Sequence, residues 1–328
     1  MKIEDFEPFT GQHCETTAAG SLLKQIGIEL SEPMLFGLGE GLGYIFWHMK
    51  TMDFPFIGGR IKTDLLTENL CRNLNLKLVV NETSSKQKAW THVKTEIDRG
   101  KAVGLKLDCY HLDYFTNKIH FAGHYVAMYG YDQEFAYLID TDQQGGKVKT
   151  TLNSLALARD ERGPMSSKNR SFTITRSDQS VNLQKVLRQT IQNNAISFLN
   201  PPIKNIGYKG ILKTASEIKR WYKSSNTISR DFQTIAMLME NAGTGGSLFR
   251  NLYRDFLMES AELLDCKQIR KAHSEYAEVA ELWKRVSELF NEVGNTHEVK
   301  YIDRASELLI EIAEREKNIM IELHNSWG

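Results

Sequence analysis

The chain has 328 residues, enough for two units that each bury a core. Its hydrophobic residues (41%) and charged residues (25%) are those of an ordinary globular protein, and Lys plus Arg equals Asp plus Glu, 41 each, so no net charge marks a nucleic-acid surface. No run approaches the roughly 20 apolar residues that cross a bilayer, the acidic start Met1-Lys2-Ile3-Glu4-Asp5-Phe6-Glu7 does not read as a signal peptide, and the four cysteines are scattered with no C-x-x-C, which predicts reduced thiols in a cytoplasmic protein.

The first predicted helix covers residues 14–26. Ala18, Leu22, Leu23 and Ile26 form its apolar stripe and Gly27 ends it. Ser31-Glu32-Pro33 reads as a second helix start, because proline is tolerated in a first turn. A glycine-rich stretch follows, with Gly37, Gly39, Gly41 and Gly43. It lacks the Lys-Ser/Thr of a phosphate loop and follows no strand, so it reads as a flexible or closely approached segment beside a cleft, or as a simple loop. Residues 63–74 form a helix with Leu65, Leu66, Leu70 and Leu74 on one face, residues 76–80 a short strand, and residues 86–99 a helix closed by Gly100. Strands are then expected over 102–107, 124–131, 134–139, 147–150 and 172–175, the second and third joined as a hairpin by Tyr131-Asp132-Gln133. Helices followed by an antiparallel sheet make an α+β pattern. Residues 160–171 are polar and turn-rich, a loop near a domain boundary.

Beyond about residue 178 the helical period takes over. Helices are expected over 211–222, 229–242, 247–264, 267–293 and 301–323. In the fourth of these Ile269, Tyr276, Val279, Trp283, Val286, Phe290 and Val293 share one stripe. The expected layout is therefore an α+β domain over 1–175 and an α-helical bundle over 176–328. Stripes this continuous leave apolar surface to be covered by the first domain or by a second copy in a homodimer.

Cys14 stands at the predicted start of the first helix, in Gly11-Gln12-His13-Cys14-Glu15. The positive end of the helix dipole favours a thiolate there. Cys71, Cys109 and Cys266 read as small buried hydrophobes. His124 opens an apolar strand and Asp140 closes the next one. Cysteine, then histidine on one strand, then an acid on the following strand is the order of papain-like cysteine enzymes: the thiol attacks a carbonyl, the imidazole moves protons and the acid orients the ring. A satisfied core histidine and a turn aspartate are the bland readings of the same two residues. Gln12 offers a side-chain amide to an oxyanion, as does the Cys14 N–H, against the reading of Gln12 as a solvent-facing loop residue. His111, His120 and His124 match no standard ligand spacing and no acidic cluster accompanies them, so no metal and no cofactor are expected. Residues 241–250 read as a helix–helix turn with Ser247 as N-cap. The weaker reading is an anion site that uses Arg250.

Three segments carry a family resemblance. His13-Cys14-Glu15, the stretch from Leu30-Ser31-Glu32 to Phe36-Gly37-Leu38-Gly39, and Gly123-His124-Tyr125 with Gly130-Tyr131-Asp132 resemble butirosin biosynthesis protein H and its relatives. Gly245-Gly246-Ser247-Leu248-Phe249-Arg250 and Tyr253-Arg254-Asp255-Phe256-Leu257 resemble the helical domain of unknown function that follows it. The resemblance implies a papain-like fold, similar to the peptidases that trim leader peptides from bacteriocins. It also implies transfer of an acyl group from an acyl carrier protein to an amine, as the family's namesake does with an aminoglycoside. The nucleophile then falls on Cys14, the histidine on His124 and the acid on Asp140, where the usual Asp-Pro is Asp140-Thr141. No role follows for the helical domain. The expected activity is amide formation from an acyl thioester and an amine acceptor, with Gln12, Gly39, Gly41 and Arg250 as further oxyanion or substrate candidates. A peptidase or amidase using the same residues is the alternative, and a non-catalytic binding or scaffold protein is the reading from another class.

Overall fold

The structure, a computed structural model, describes residues 1–49, 52–163 and 165–326. Its elements in chain order are α1 (Cys14–Gln25), α2 (Glu32–Leu38), β1 (Leu42–Trp47), β2 (Phe56–Arg60), α3 (Leu65–Asn73), β3 (Lys77–Asn81), α4 (Lys86–Asp98), β4 (Val103–Leu107), β5 (His124–Tyr131), β6 (Phe135–Ile139), β7 (Lys147–Thr151), α5 (Leu152–Asp160), β8 (Ser171–Thr175), α6 (Leu183–Leu199), α7 (Gly207–Ser224), α8 (Ile228–Asn241), α9 (Arg250–Leu264), α10 (Lys267–Thr296) and α11 (Val299–Asn325). The chain is α+β, and it divides into two compact units: Met1–Leu35 with Thr63–Val181, and Phe36–Lys62 with Asn182–Gly328. The expected single boundary after residue 175 is thus replaced by three crossings, and residues 36–62, expected in the first domain, group with the helices.

The first unit is built on an antiparallel sheet in the order β3-β8-β4-β5-β6-β7. Its central strand β5 is an almost unbroken apolar run, buried from His124 through Met128, as a strand covered on both faces must be. Helix α1 packs against β5, and α4 and α5 pack against β4. Val93 and Ile97 of α4, Leu105 and Leu107 of β4, Val126 and Met128 of β5, and Leu155 and Ala158 of α5 belong to one buried cluster. The β5–β6 hairpin turns at Asp132, whose Oδ1 accepts the N–H groups of Glu134 and Phe135 at 2.8 and 2.7 Å. Pro164, inside the expected 160–171 loop, lies outside the described residues. The rest of that loop connects α5 to β8 within the first unit and holds none of the three crossings.

The second unit packs six long helices, α6 to α11, around one hairpin, among the described residues. Strands β1 and β2, for which the sequence analysis predicts no strand, pair antiparallel. Leu42, Tyr44 and Phe46 alternate inward along β1. The Tyr44 hydroxyl meets Thr214 Oγ1 at 2.6 Å, its ring stacks on Trp283 at 5.5 Å, and the Phe46 N–H donates to Asn205 O at 2.9 Å. These bonds to α7, α10 and the α6–α7 connection explain why residues 36–62 leave the sheet domain. The predicted stripe from Ile269 to Val293 is buried along its whole length. Helices α10 and α11 run antiparallel, with Lys271–Glu322 and Arg315–Glu278 ion pairs along their flanks. Of the readings of the glycine run, close approach is the one the structure shows: Gly37, Gly39, Gly41 and Leu42 are buried where α2 ends and β1 begins. A Cβ on Gly37 would sit 2.1 Å from the Phe256 ring, and one on Gly41 2.7 Å from Phe36.

Candidate active site

Helix α1 begins at Cys14 because the segment before it is held by an acid from elsewhere. The Glu32 carboxylate accepts the Gln12 N–H at 2.9 Å and the His13 N–H at 2.8 Å, and Thr16 Oγ1 lies 2.8 Å from Glu32 Oε1. His13, the extended residue at the N-cap, makes no side-chain cap of its own, and Glu32 accepts the N-cap N–H as the acid of a capping box does. The first helical bond, Thr17 N–H to His13 O at 2.9 Å, closes the turn around Cys14. Gly11 O then accepts the Asp142 N–H at 3.0 Å, which ties this lead-in to the turn after β6.

His124 and Asp140 meet through sheet register. Ala127 pairs with Ile139, so one further residue sets Asp140 opposite Val126, on the same face as His124 and diagonal to it, a separation that polar side chains span. His124 Nε2 lies 2.8 Å from Asp140 Oδ2. The same oxygen accepts the Tyr114 hydroxyl at 2.7 Å, and Oδ1 accepts the Thr141 N–H at 2.7 Å. Asp140 is wholly buried and His124 is 8% exposed. The edge of the Phe115 ring pair closes on His124 with centroids 5.3 Å apart at 83°. Cys14, also buried, is close enough to His124 for its thiol to act on the imidazole. Because Asp140 holds Nε2, Nδ1 is the nitrogen left for the thiol. Burial by itself would push the His124 imidazole down, but the charges of Asp140 and Cys14 and the hydrogen bonds to both outweigh it and hold the ring well above the ordinary histidine value. Burial, with the adjacent Asp140 charge, pushes the Tyr114 phenol well up, so it stays a donor.

The structure thus brings Cys14, His124 and Asp140 together. Of the remaining sequence candidates, Gln12 and Arg250 are engaged by other groups. Gln12 has an exposed side chain and contributes its backbone N–H to Glu32. Gly39, Gly41 and Arg250 belong to the second unit. Arg250 is not available to a substrate: its side chain is fully buried, Nε and Nη2 donate to the two Glu316 oxygens at 2.8 and 2.9 Å, and Nη1 donates to Leu248 O at 2.9 Å. Trp283 Nε1 donates to the same carboxylate at 2.8 Å. Nor is Ser247 an N-cap. Ser247, Leu248 and Phe249 all take positive φ, and α9 starts only at Arg250, because β2 presses on this turn: a Cβ on Gly59 would lie 2.2 Å from Leu248 O.

Cys71, Cys109 and Cys266 are buried free thiols, as expected of small hydrophobes. Burial pushes the Cys71 thiol up to about 12. Sequence reasoning missed Glu32 and Tyr114. The only available hints were an acid in the first turn of α2 and an aromatic pair, Tyr114-Phe115, shortly before His124. His124 is not part of a metal cluster. Among the described residues the group able to hold one is His111, His120 and Glu161.

Residues 13–141 match the family model described as Butirosin biosynthesis protein H, N-terminal, and residues 153–323 match the Domain of unknown function (DUF4872). The chain belongs to the DUF4872 family, with a butirosin biosynthesis protein H N-terminal domain ahead of it. None of the curated proteins matches it. Among solved structures it is similar to a protein described as a C39-like peptidase from Bacillus anthracis, at 18% identity and a TM-score of 0.37, over 54% of this chain and 98% of that one. Among the described residues of this two-domain family member no helix is long and apolar enough to cross a membrane.

Proposed function

We propose that the chain is a cysteine acyltransferase that forms an amide from an acyl thioester and an amine. The observation that carries this reading is the Cys14–His124–Asp140 arrangement: a thiol at the first position of a helix, beside an imidazole whose Nε2 is fixed by a buried carboxylate. The match of residues 13–141 supports it, since the namesake of that domain performs acyl transfer.

Cys14 Sγ attacks the thioester carbonyl, a new C–S bond forms, and the donor thiol leaves with a proton from His124 where it needs one. The Cys14 N–H, at a helix start where amides lack intrahelical partners, stabilises the oxyanion. An amine then attacks the Cys14 thioester, His124 takes its proton, the C–N bond forms and the Cys14 sulfur departs. Asp140 keeps Nε2 occupied, so the proton traffic runs through Nδ1. A thioester donor suits this site because one thiol replaces another of similar leaving ability.

Intact-mass measurement after incubation with acyl thioesters tests the proposal. An acyl adduct should map to Cys14, be absent in Cys14→Ser, and discharge to an amide when an amine is supplied. No adduct with any donor would support the scaffold reading. An adduct that water alone discharges would make the protein a hydrolase.

A further inference from the structure

The connection from β4 to β5 and the end of α5 place three metal-ligating side chains together, outside the Cys14 site. His111 Nε2 lies 2.8 Å from Glu161 Oε2. The His120 ring stands 5.8 Å from the His111 ring, inclined at 69°, so the two imidazoles converge. One donor atom from each of His111, His120 and Glu161 falls within 4.8 Å of the others. Tetrahedral zinc with bonds of about 2.0–2.1 Å needs its ligand atoms roughly 3.3 Å apart, so small side-chain rotations complete the cluster. The backbone supports the meeting: the Asp108 N–H donates to Ala158 O at 2.8 Å, which anchors the end of α5 beside the His111 turn.

A second observation points to a ligand. His120 Nδ1 is held at 3.1 Å by Asp108 Oδ2, and Asp108 is 1% exposed. The other Asp108 oxygen accepts the Tyr110 N–H at 2.8 Å and the Phe121 N–H at 3.1 Å, and the Tyr110 ring stacks on His120 at 3.9 Å and 11°. A buried carboxylate that fixes one nitrogen of a histidine and leaves the other to a cation is the outer-shell arrangement of zinc sites. A plain surface ion pair between His111 and Glu161 would need neither His120 nor this support.

We propose that His111, His120 and Glu161 bind one divalent transition-metal ion of the zinc class, His120 through the nitrogen that Asp108 leaves open, with water completing the shell. Two imidazoles and one carboxylate suit zinc, and disfavour calcium and magnesium, which prefer all-oxygen shells. The ion would clamp the 109–123 connection, which carries Tyr114 and Phe115 to Asp140 and His124, so occupancy would steady the site without taking part in its chemistry.

The test is zinc titration of the chelator-treated full chain against a chromophoric competitor, in a Cys14→Ser background that removes the catalytic thiol. One equivalent should bind. His120→Ala and Glu161→Gln should each weaken it at least tenfold, and Asp108→Asn on the order of tenfold. His120 has a side chain 59% exposed, so its loss should leave the fold intact, checked by circular dichroism. Cobalt in place of zinc should give visible d–d bands without a thiolate charge-transfer band. Absence of zinc binding, undiminished binding in the His120→Ala/Glu161→Gln double variant, or a thiolate band would each overturn the proposal.

Discussion

Asp140 is the residue on which the state of His124 turns. Its charge is the largest influence opposing the burial of the imidazole. Because the folded-state value is raised, the imidazolium contributes stability fully below the ordinary value of 6.5, and that contribution is lost as pH rises through the folded value. The basic limb of kcat/KM should therefore lie above 6.5. Asp140→Asn removes the larger of the two charges that oppose burial and leaves Cys14 alone against it: the limb should move down, and turnover should fall between about a hundredfold and ten-thousandfold with the fold retained. A pH–rate profile of both proteins checks this, and an unmoved limb would show that Asp140 does not govern the ring. Tyr114→Phe removes one charge-assisted bond to Asp140 Oδ2, and roughly a tenfold loss of turnover is expected. At this scale the sequence singled out Cys14, His124 and Asp140 as candidates, each at or just beyond the end of an element. It did not reveal Glu32, Tyr114 or the true role of Arg250, because each acts through a partner distant in the chain: Gln12 and His13 at one end, Glu316 at the other.

The start of α1 is an element-scale feature, since its geometry depends on an acid from α2. Glu32→Ala leaves the Gln12 and His13 N–H groups without their acceptor, a cost of about 1–2 kcal/mol. Gly11→Ala should act through the same contact, because a Cβ there would lie 2.6 Å from the Glu32 carboxylate and displace it. The two changes together should destabilise less than their sum. Thermal unfolding of the two single variants and the double variant measures this, and full additivity would mean that Gly11 and Glu32 act independently. Strands β3 to β8 and most helices were legible from periodicity, the strand ends displaced by a residue and the helix ends by up to four, as at the start of α7; α6 was not read. The β1–β2 hairpin was not, because Gly43, Gly58 and Gly59 interrupt its alternation, and glycine in a strand gives no side-chain signal. Helix α5 was missed because it is short and follows β7 without a break.

At the scale of the molecule, the buried Arg250–Glu316 pair secures the second unit by joining the start of α9 to α11. Removing one partner leaves an uncompensated charge, so Arg250→Ala should cost about 3–5 kcal/mol in urea unfolding. An active, undiminished fold with a selective loss of substrate binding would instead restore Arg250 to a ligand-binding role. The helical half as a bundle was legible from its stripes. The threefold crossing of the chain was not, because nothing local in residues 36–62 says that their partners lie beyond residue 182.

That discontinuity has a consequence in time. A ribosome delivers Tyr44 and Phe46 long before Asn205, Thr214 and Trp283, the residues that receive them. At about 5–20 residues per second the hairpin waits on the order of ten seconds or more for α7 and α10. During that interval the sheet of the first unit can complete itself around an unhoused apolar loop. The nascent chain should therefore recruit a holdase between the emergence of β8 and that of α10, and ribosome profiling of chaperone-bound chains should place the interaction in that window.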